Sequence, residues 1–295
     1  MAFIQADRAA GASRYRHAIA RGMEWLVQQQ QPDGGWGDTP RSLSNISTTL
    51  LTLAVLHSAP AGSCPPTSRQ RAEEYLSRAG GISAVLARYG RDRTFSVPIL
   101  MQAALAGLVP WSSIPGLPFE LGCLPHACFR VVQLPVVSYA LPALIAIGQV
   151  LHHQAPTANP LVRAIRNQTR GITLHKLMQI QPQSGGFLEA IPLTSFVVMS
   201  LCAQGLREHP VVQRGLAFLE RSVRPDGSWP IDVNLSTWVT TLLIQALPEE
   251  SLSALPAEGL LEWLLAQQHQ VVHPYTQAQP GGWAWTPLAW GRSRC

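Results

Sequence analysis

Charge is scarce in this chain. Charged residues make up 13% of its 295 residues, about half of the usual share, while hydrophobic residues make up 46%. This composition excludes an intrinsically disordered chain, which would be rich in charge and poor in hydrophobic residues. Lys176 is the only lysine, and no run of basic residues accompanies the net charge of +5. We therefore expect no binding of nucleic acid, which needs a basic patch or stripe.

Paired acids and paired metal ligands are missing as well. No two aspartates are adjacent or one residue apart, and the cysteines show no Cys-x-x-Cys spacing, so we interpret the thiols as reduced. The histidines lack the spacing of a zinc site. We expect no metal and no other cofactor. The residues concerned are Asp7, Asp33, Asp38, Asp92, Asp226 and Asp232, then Cys64, Cys123, Cys128, Cys202 and Cys295, and His126, His152, His153 and His273.

Charge is almost absent from residues 94–162, where Glu120 and Arg130 are the only charged side chains. Within that stretch, residues 131–151 carry no charge over a length that can cross a bilayer. Two prolines and several polar residues interrupt it. The favoured interpretation is a pair of buried, inward-facing apolar helices. Contact with one face of a membrane is the alternative, and a membrane span is the third possibility. The N-terminus has no apolar secretory signal, which favours a cytoplasmic protein, peripheral at the inner membrane face in the second case.

One kind of turn is present in several copies. Each copy contains glycine and ends on an aromatic residue, and the ends are Trp36, Phe187, Trp229 and Trp283. An amphipathic helix pattern precedes the turn and an apolar helix pattern follows it. Glycine suits such a turn because it reaches positive φ without a Cβ clash. The repeat therefore predicts a helix–turn–helix unit, with amphipathic helices outside and apolar helices inside.

A glutamine stands four residues before the first glycine in most of these turns. The pairs are Gln30 with Gly34, Gln181 with Gly185, and Gln277 with Gly281, whereas Val223 holds the glutamine place before Gly227. We expect each glutamine to bind exposed backbone groups at the helix ends. We expect each turn aromatic to fold back over the end of its own first helix.

The Gln-x3-Gly-x-Trp spacing resembles the QW repeat of the squalene–hopene and oxidosqualene cyclase family. Residues 101–126, where a helix pattern ends at Pro-Trp before a proline-rich segment, are also similar to that family. The resemblance covers most of residues 18–288. It implies an all-α protein with an α/α-toroid fold, preceded by an extension at 1–17 and followed by an aberrant tail at 289–295. It also implies the N-terminal domain of a triterpene cyclase, with an isoprenoid hydrocarbon such as squalene as its partner.

In that family an Asp-x-Asp-Asp motif supplies the acid that protonates the alkene, shortly after a Gly-Gly-aromatic turn. Here the sequence QPGGWAWTPL continues as AWGRSRC, and the motif is absent from the 295 residues. We therefore expect no catalytic residue in this chain and a C-terminal catalytic half that is missing from it. Asp232 is the remaining acid candidate, although a role of Asp232 or Asn234 at a helix N-terminus is favoured. The resemblance suggests these substrate-pocket candidates: Trp229, Trp238, Trp283 and Trp285.

Two alternatives stay open. In the first, the chain is a non-catalytic toroid that binds an isoprenoid or a protein. In the second, it is a distant relative of protein prenyltransferase β-subunits, to which residues 125–129 (PHACF) bear a superficial likeness. The sequence TPLAWGRSRC resembles an out-of-frame reading, which predicts that a shifted frame encodes the aspartate motif within about 20 codons, a figure that follows from the motif order of the family.

Overall fold

The chain is described by a computed structural model that covers residues 1–90, 93–124, 141–252, 257–272 and 279–286. Helices dominate those residues, and the β-type pairing among them is an isolated bridge between Ala190 and Asp232. The α-helices are α1 (Ala2–Ala10), α2 (Arg16–Gln28), α3 (Ile46–Ser58), α4 (Pro66–Arg78), α5 (Gly81–Tyr89), α6 (Arg93–Leu105), α7 (Leu141–Gln154), α8 (Pro160–Ile180), α9 (Ile191–Cys202), α10 (Pro210–Arg221), α11 (Ser236–Ala246), α12 (Glu249–Leu252) and α13 (Ala257–Ala266). Short 3₁₀ helices are η1 (Trp111–Ser113), η2 (Phe119–Cys123) and η3 (Phe187–Glu189).

An inner layer of helices surrounds the centre of the protein. Helix α3 contacts α6, α6 contacts α7, α7 contacts α9, and α9 contacts α1. Most residues of α3, α7 and α9 are apolar and are buried on several sides. Helices of that kind are stable only inside a protein. Residues 141–151 of the uncharged stretch thus lie in the inner layer, as the favoured interpretation expects, while residues 131–140 lie outside the described ranges.

The outer layer consists of amphipathic helices. Helix α4 packs on α3, α8 on α7, and α10 on α9. The buried side chains of α10 share one face, for example Val212, Leu216 and Leu219, while Arg214 and Arg221 lie on the other. This arrangement confirms the two layers that the repeat predicts and the α/α-toroid that the family resemblance implies.

The ring closes between its two ends. Residues 1–17, which the sequence leaves as an extension, contain α1, and α1 packs against α9 as a member of the inner layer. Phe3 and Ala6 of α1 are 6% and 0% exposed. On the outside, Gly227 lies against the backbone of Arg21 in α2. The outer helix that precedes this turn, α10, is thereby connected to α2.

Residues 236–286 lie beyond this closure, and we name their described part (236–252, 257–272 and 279–286) the fourth unit. It contains α11, α12 and α13. The backbone reaches it through residues 231–233, which pair with residues 189–191: the amide of Ile191 donates to the carbonyl of Ile231 over 2.9 Å. Apolar side chains of the fourth unit, such as Leu242 and Leu261, remain exposed.

Closure by α1 leads to the first prediction. The Phe3 ring stacks on Tyr15 at 4.3 Å and meets Trp229 edge-on at 5.9 Å. Phe3→Ala should therefore lower the free energy of unfolding by roughly 3–5 kcal/mol, as for other buried phenylalanines. Urea unfolding measures this loss.

Arg14→Ala is the control, because Arg14 forms an exposed ion pair with Glu220. Such pairs contribute at most about 1 kcal/mol. Phe3→Ala protein that unfolds at the same urea concentration as the Arg14→Ala protein would show that α1 is peripheral.

Candidate functional site

The first turn, residues 30–36, is held together by two side chains. Gln30 donates from Nε2 to the carbonyl of Gly34 over 2.9 Å and to that of Ser68 over 2.8 Å. Trp36 is 3% exposed, and its indole Nε1 donates to the carbonyl of Leu26 over 2.8 Å. The glutamine thus closes its own turn and ties it to α4, and the tryptophan covers the end of α2.

The second turn, residues 181–187, repeats this arrangement with phenylalanine in the aromatic place. Gln181 donates to the carbonyls of Gly185 over 2.9 Å and Val211 over 3.0 Å. Phe187 is 1% exposed, and its amide donates to the hydroxyl of Thr194 in α9. The turn is therefore bonded both to the next outer helix and to the inner helix that follows.

The third turn, residues 223–229, keeps the geometry without the glutamine. The side chain of Val223 has no amide group to donate, and the backbone bond from Arg224 N to Ser228 O remains at 2.9 Å. Trp229 still donates from Nε1 to the carbonyl of Leu219 over 2.9 Å. The tryptophan contact is thus independent of the glutamine.

In these three turns the first glycine has positive φ and lies directly against a helix backbone. A Cβ added there would stand 2.4, 2.4 or 2.9 Å from the carbonyl oxygen of an arginine in α4, α10 or α2, in the pairs Gly34–Arg71, Gly185–Arg214 and Gly227–Arg21. Real Cβ atoms do not approach oxygen so closely. Glycine is therefore required both for the positive φ and for the close approach to the helix. Each turn is therefore docked onto the next outer helix around the ring.

The arginines also bind the turns through their side chains. Arg71 donates from Nη2 to the carbonyl of Pro32 over 3.0 Å, and Arg21 donates to the carbonyl of Pro225. In the second turn Arg221, seven residues after Arg214 on the same face of α10, donates to the carbonyl of Ser184 over 2.8 Å. Guanidinium groups thus satisfy turn carbonyls that would otherwise lack partners.

The fourth turn comprises Gln268 and residues 279–283. Gln268 donates from Nε2 to the carbonyl of Gly281 over 2.9 Å, and Trp283 donates from Nε1 to the carbonyl of Leu264 over 2.6 Å. The sequence assigns the glutamine place to Gln277, which lies outside the described residues. The structure has Gln268 in that place, so an insertion separates the glutamine from its glycine.

A signal for Gln268 is present in the sequence. WLVQQQ (25–30) and WLLAQQ (263–268) both run from a helix tryptophan to the glutamine that bonds its turn glycine. The distance from the glutamine back to this tryptophan is thus kept, while the distance forward to the glycine is not. Counting backwards from Gly281 cannot reveal this, because the insertion falls within the counted interval.

The candidate pocket tryptophans lie in two places. Trp238 and Trp285 stack with ring centroids 5.4 Å apart in the fourth unit, where they are 44% and 59% exposed. Trp283 is 44% exposed in the same unit. Trp229 instead contacts Phe3 at the ring closure. The four side chains therefore do not line one pocket within the described residues.

An apolar cavity of about 230 Å³ lies at the ring closure, between α1, α2, α3 and the third turn. Phe3, Ile19, Met23, Leu26 and Trp229 are among its lining residues. Ligand clefts generally measure roughly 300–1,000 Å³. This cavity is smaller than that range, so a C30 hydrocarbon does not fit in it as a whole.

Asp232 is placed beside Ala190 in the isolated bridge. Burial raises its pKa, and no charged group among the described residues acts on the carboxyl. The paired-carboxylate arrangement that would poise a strong acid is thus not formed there. Asn234, not Asp232, accepts a hydrogen bond at the start of α11, from the amide of Ser236 over 3.0 Å.

Turn carboxylates are engaged with hydroxyl groups. Ser44 donates to Asp33 over 2.8 Å in the first turn, and Ser228 donates to Asp226 over 2.7 Å in the third. In the second turn the serine precedes the acid in the sequence, and Ser184 donates to Glu189. Burial raises the pKa of Glu189, while the Ser184 hydroxyl and the charge of Arg221 act in the opposite direction.

Neither a metal-binding cluster nor a membrane-spanning helix is found in the described residues. Among them, no group of three or more His, Cys, Asp or Glu residues is arranged to hold a metal ion. His126 and Cys128 lie outside the described ranges. In the same part of the chain, no helix combines the length and the hydropathy needed to cross a bilayer.

Comparison with known proteins agrees with the toroid. The sequence model of the squalene–hopene cyclase N-terminal domain matches residues 11–167, more than half of the chain. The chain belongs to the squalene–hopene cyclase family. The curated relatives that it matches are distant in sequence, and the match concerns only a part of their length.

Three relatives illustrate that relation. An enfumafungin synthase of Hormonema carpetanum is 26% identical over 88% of this chain and 24% of its own length. A squalene hopane cyclase of Aspergillus fumigatus is 25% identical over 77% of this chain and 36% of its own length. A probable squalene–hopene cyclase of Sinorhizobium fredii is 26% identical, over 78% and 33%. The chain thus spans about a quarter to a third of the length of these cyclase relatives.

The turn glycines lead to the second prediction. Gly34→Ala should cost roughly 1–3 kcal/mol for its backbone conformation and about 1–3 kcal/mol more for the forced contact with Arg71. Gly281 has φ +97°, but no described residue outside its own unit lies within 4 Å of an added Cβ. Gly281→Ala should therefore cost only the conformational part. Equal losses in urea unfolding would show that the docking contact contributes nothing.

Proposed function

We propose that this chain forms the N-terminal helical domain of a triterpene cyclase that folds a polyprenyl hydrocarbon such as squalene. The match of the squalene–hopene cyclase N-terminal domain to residues 11–167 carries the proposal. The turns add support, because three of them dock on neighbouring outer helices and close a toroid around apolar inner helices. A rigid, largely uncharged helical layer is a suitable wall for a hydrocarbon substrate.

The acid, in this proposal, comes from a second helical domain that carries the Asp-x-Asp-Asp motif. Protonation of an alkene needs a carboxylic acid whose proton is poised by a second carboxylate in a dry site. Among the described residues the turn carboxylates Asp33, Asp226 and Glu189 are bound to serine hydroxyls, and Asp232 has no charged neighbour. None of them forms the required pair.

The third prediction follows. Purified residues 1–295 should convert squalene to no cyclic product that gas chromatography with mass spectrometry detects. The same chain joined to a cyclase domain with the aspartate motif should give polycyclic product. Asn in place of the central aspartate of that motif is the control and should abolish the product. A polycyclic product from residues 1–295 alone would overturn the proposal and direct attention to Asp232.

Contact with a membrane surface is a further part of the proposal, since hydrocarbon substrates reside in the bilayer. Within residues 94–124, Phe95 and Leu124 are 58% and 42% exposed although the stretch carries almost no charge. Burial of such side chains in lipid contributes roughly 1.5–3 kcal/mol each. They are therefore suited to insertion into the outer part of a leaflet.

The fourth prediction tests this contact by flotation with phosphatidylcholine vesicles. The double variant Phe95→Ser and Leu124→Ser should reduce the ratio of bound to free protein by roughly tenfold or more, as loss of such burial implies. Leu43→Ser is the matched control, because Leu43 is 88% exposed and lies outside the uncharged stretch. A wild-type chain that does not float, or an equal effect of all the variants, would contradict membrane contact at this place.

A further inference from the structure

A polar cleft of about 230 Å³ lies between α7, α8 and η2, away from the turns. Arginine, histidine, asparagine and glutamine side chains line it, and none of its described lining residues is aspartate or glutamate. Its volume is below the roughly 300–1,000 Å³ of ordinary ligand clefts, so it suits a small ion or a headgroup. A hydrocarbon has no hydrogen-bonding group for such a lining, so a role of this cleft goes beyond the proposed function.

Gln149 of α7 brings a buried acceptor to this lining. The side chain is 2% exposed, and its Nε2 donates to two groups of α8: the carbonyl of Arg170 over 3.1 Å and the hydroxyl of Thr173 over 2.7 Å. Both amide hydrogens are thus used, and the orientation of the amide is fixed. Its Oε1 accepts no hydrogen bond from the described residues. A buried acceptor in that state is destabilising unless a donor reaches it.

His152 provides a second buried acceptor. It is 7% exposed, and its Nε2 lies 2.8 Å from the amide oxygen of Asn167. An amide oxygen only accepts, so Nε2 carries the proton, and Nδ1 of the neutral ring is an acceptor. Nδ1 has no hydrogen-bond partner in the described part of the chain. Gln149 and His152 are three residues apart and share one face of α7, so a ligand of this cleft has to donate hydrogen bonds.

Helix α8 brings positive charge to the same cleft. Arg163 and Arg170 are seven residues apart, which places them on one face of the helix together with Asn167. Neither arginine forms an ion pair with a carboxylate among the described residues. The arginine between them, Arg166, is instead paired with Glu120 over 3.0 Å. Two guanidinium groups in a cleft whose described lining has no carboxylate attract an anion.

Neighbouring side chains hold these groups in place. Gln204 accepts from Nη2 of Arg170 over 3.3 Å, which orients that guanidinium and leaves its other nitrogens for a ligand. Phe119 of η2 lies beside His152, with the ring centroids 6.0 Å apart. The binding groups are therefore largely fixed before any ligand arrives, which lowers the entropy cost of binding.

We propose that the cleft binds a phosphate group that has hydroxyl groups beside its charged oxygens. The charged oxygens accept from Arg163 and Arg170. The hydroxyl groups donate to Oε1 of Gln149 and to Nδ1 of His152. One ligand then satisfies both the cations and the acceptors, which neither a fully deprotonated anion nor a neutral alcohol does. Dihydrogen phosphate in solution and the headgroup of phosphatidylglycerol share this chemistry.

Inorganic phosphate and sulfate are the two probes, and isothermal titration calorimetry with the full chain at pH 7 and constant ionic strength measures their binding. Phosphate keeps hydroxyl groups at this pH, whereas sulfate has none and would bring a charged oxygen to each buried acceptor. Phosphate should therefore bind more tightly than sulfate by roughly tenfold or more, as the loss of a hydrogen bond at a buried group implies.

Two variants separate the roles of charge and acceptor. Arg163→Gln changes an exposed side chain and should weaken the binding of both ions by about tenfold, as the loss of a charge-assisted hydrogen bond implies. His152→Phe should weaken the binding of phosphate but not that of sulfate, so that the preference between them falls. Arg16→Gln is the matched control, because Arg16 is exposed on α2 and outside the cleft. It removes the same charge and should leave both affinities unchanged.

Flotation with phosphatidylglycerol vesicles distinguishes the two sources of the phosphate group. Flotation that Arg163→Gln weakens and that inorganic phosphate displaces would support the lipid headgroup as the ligand. Calorimetric binding of phosphate, together with flotation that Arg163→Gln and Arg16→Gln change equally, would support a ligand in solution.

Three results would overturn the proposal. The first is a chain that binds phosphate neither in solution nor on vesicles. The second is equal affinity for phosphate and sulfate, which would show that the buried acceptors select nothing. The third is phosphate binding that Arg163→Gln and Arg16→Gln weaken to the same extent, because net charge without a site explains that result.

Discussion

The structure depends on a contact that only glycine permits. In three turns the backbone of the first glycine touches the carbonyl oxygen of an arginine in the next outer helix, at Gly34, Gly185 and Gly227. Because no side chain separates the two backbones, the position of each outer helix is determined by the turn before it. The glutamine and aromatic side chains hold the turn in the required shape but do not make the approach. The third turn shows this most clearly, since it docks on α2 without a glutamine.

The same contact explains how a linear repeat becomes a closed ring. A stack of helix–turn–helix units buries each unit only between two neighbours, so both ends of the stack are left uncovered. Here the third turn docks on α2 outside, and α1 packs beside α9 inside. The inner helix that follows the third turn is α11, by analogy with α3 and α9. Since α1 already lies beside α9, α11 remains outside the ring with its apolar residues exposed.

The sequence could predict the features that every repeat shares, but not the contacts that occur in only one place. The repeat alone gave the two layers of helices, the turn glycines and the aromatic that covers each first helix, because every copy supplies the same local physics, whereas the toroid came from the family resemblance. The inner position of α1 could not be derived, since Phe3 and Ala6 become buried only through contacts with distant residues such as Trp229. Gln268 was hidden by an insertion. The hydrogen bond from Ser184 to Glu189 was not predicted either, because in this turn the serine precedes the acid in the sequence.

Closure has one further consequence for the fourth unit. Each turn that docks in such a ring needs an outer helix to receive it. Helices α2, α4 and α10 each receive one turn. The remaining outer helix, α8, carries Arg170–Gly171, but η2 packs along it and Cys123 bonds to Thr169 there. The carbonyl of Arg170 is bound by Gln149. The fourth turn therefore meets none of these outer helices, and no described residue outside its own unit lies within 4 Å of a Cβ added at Gly281.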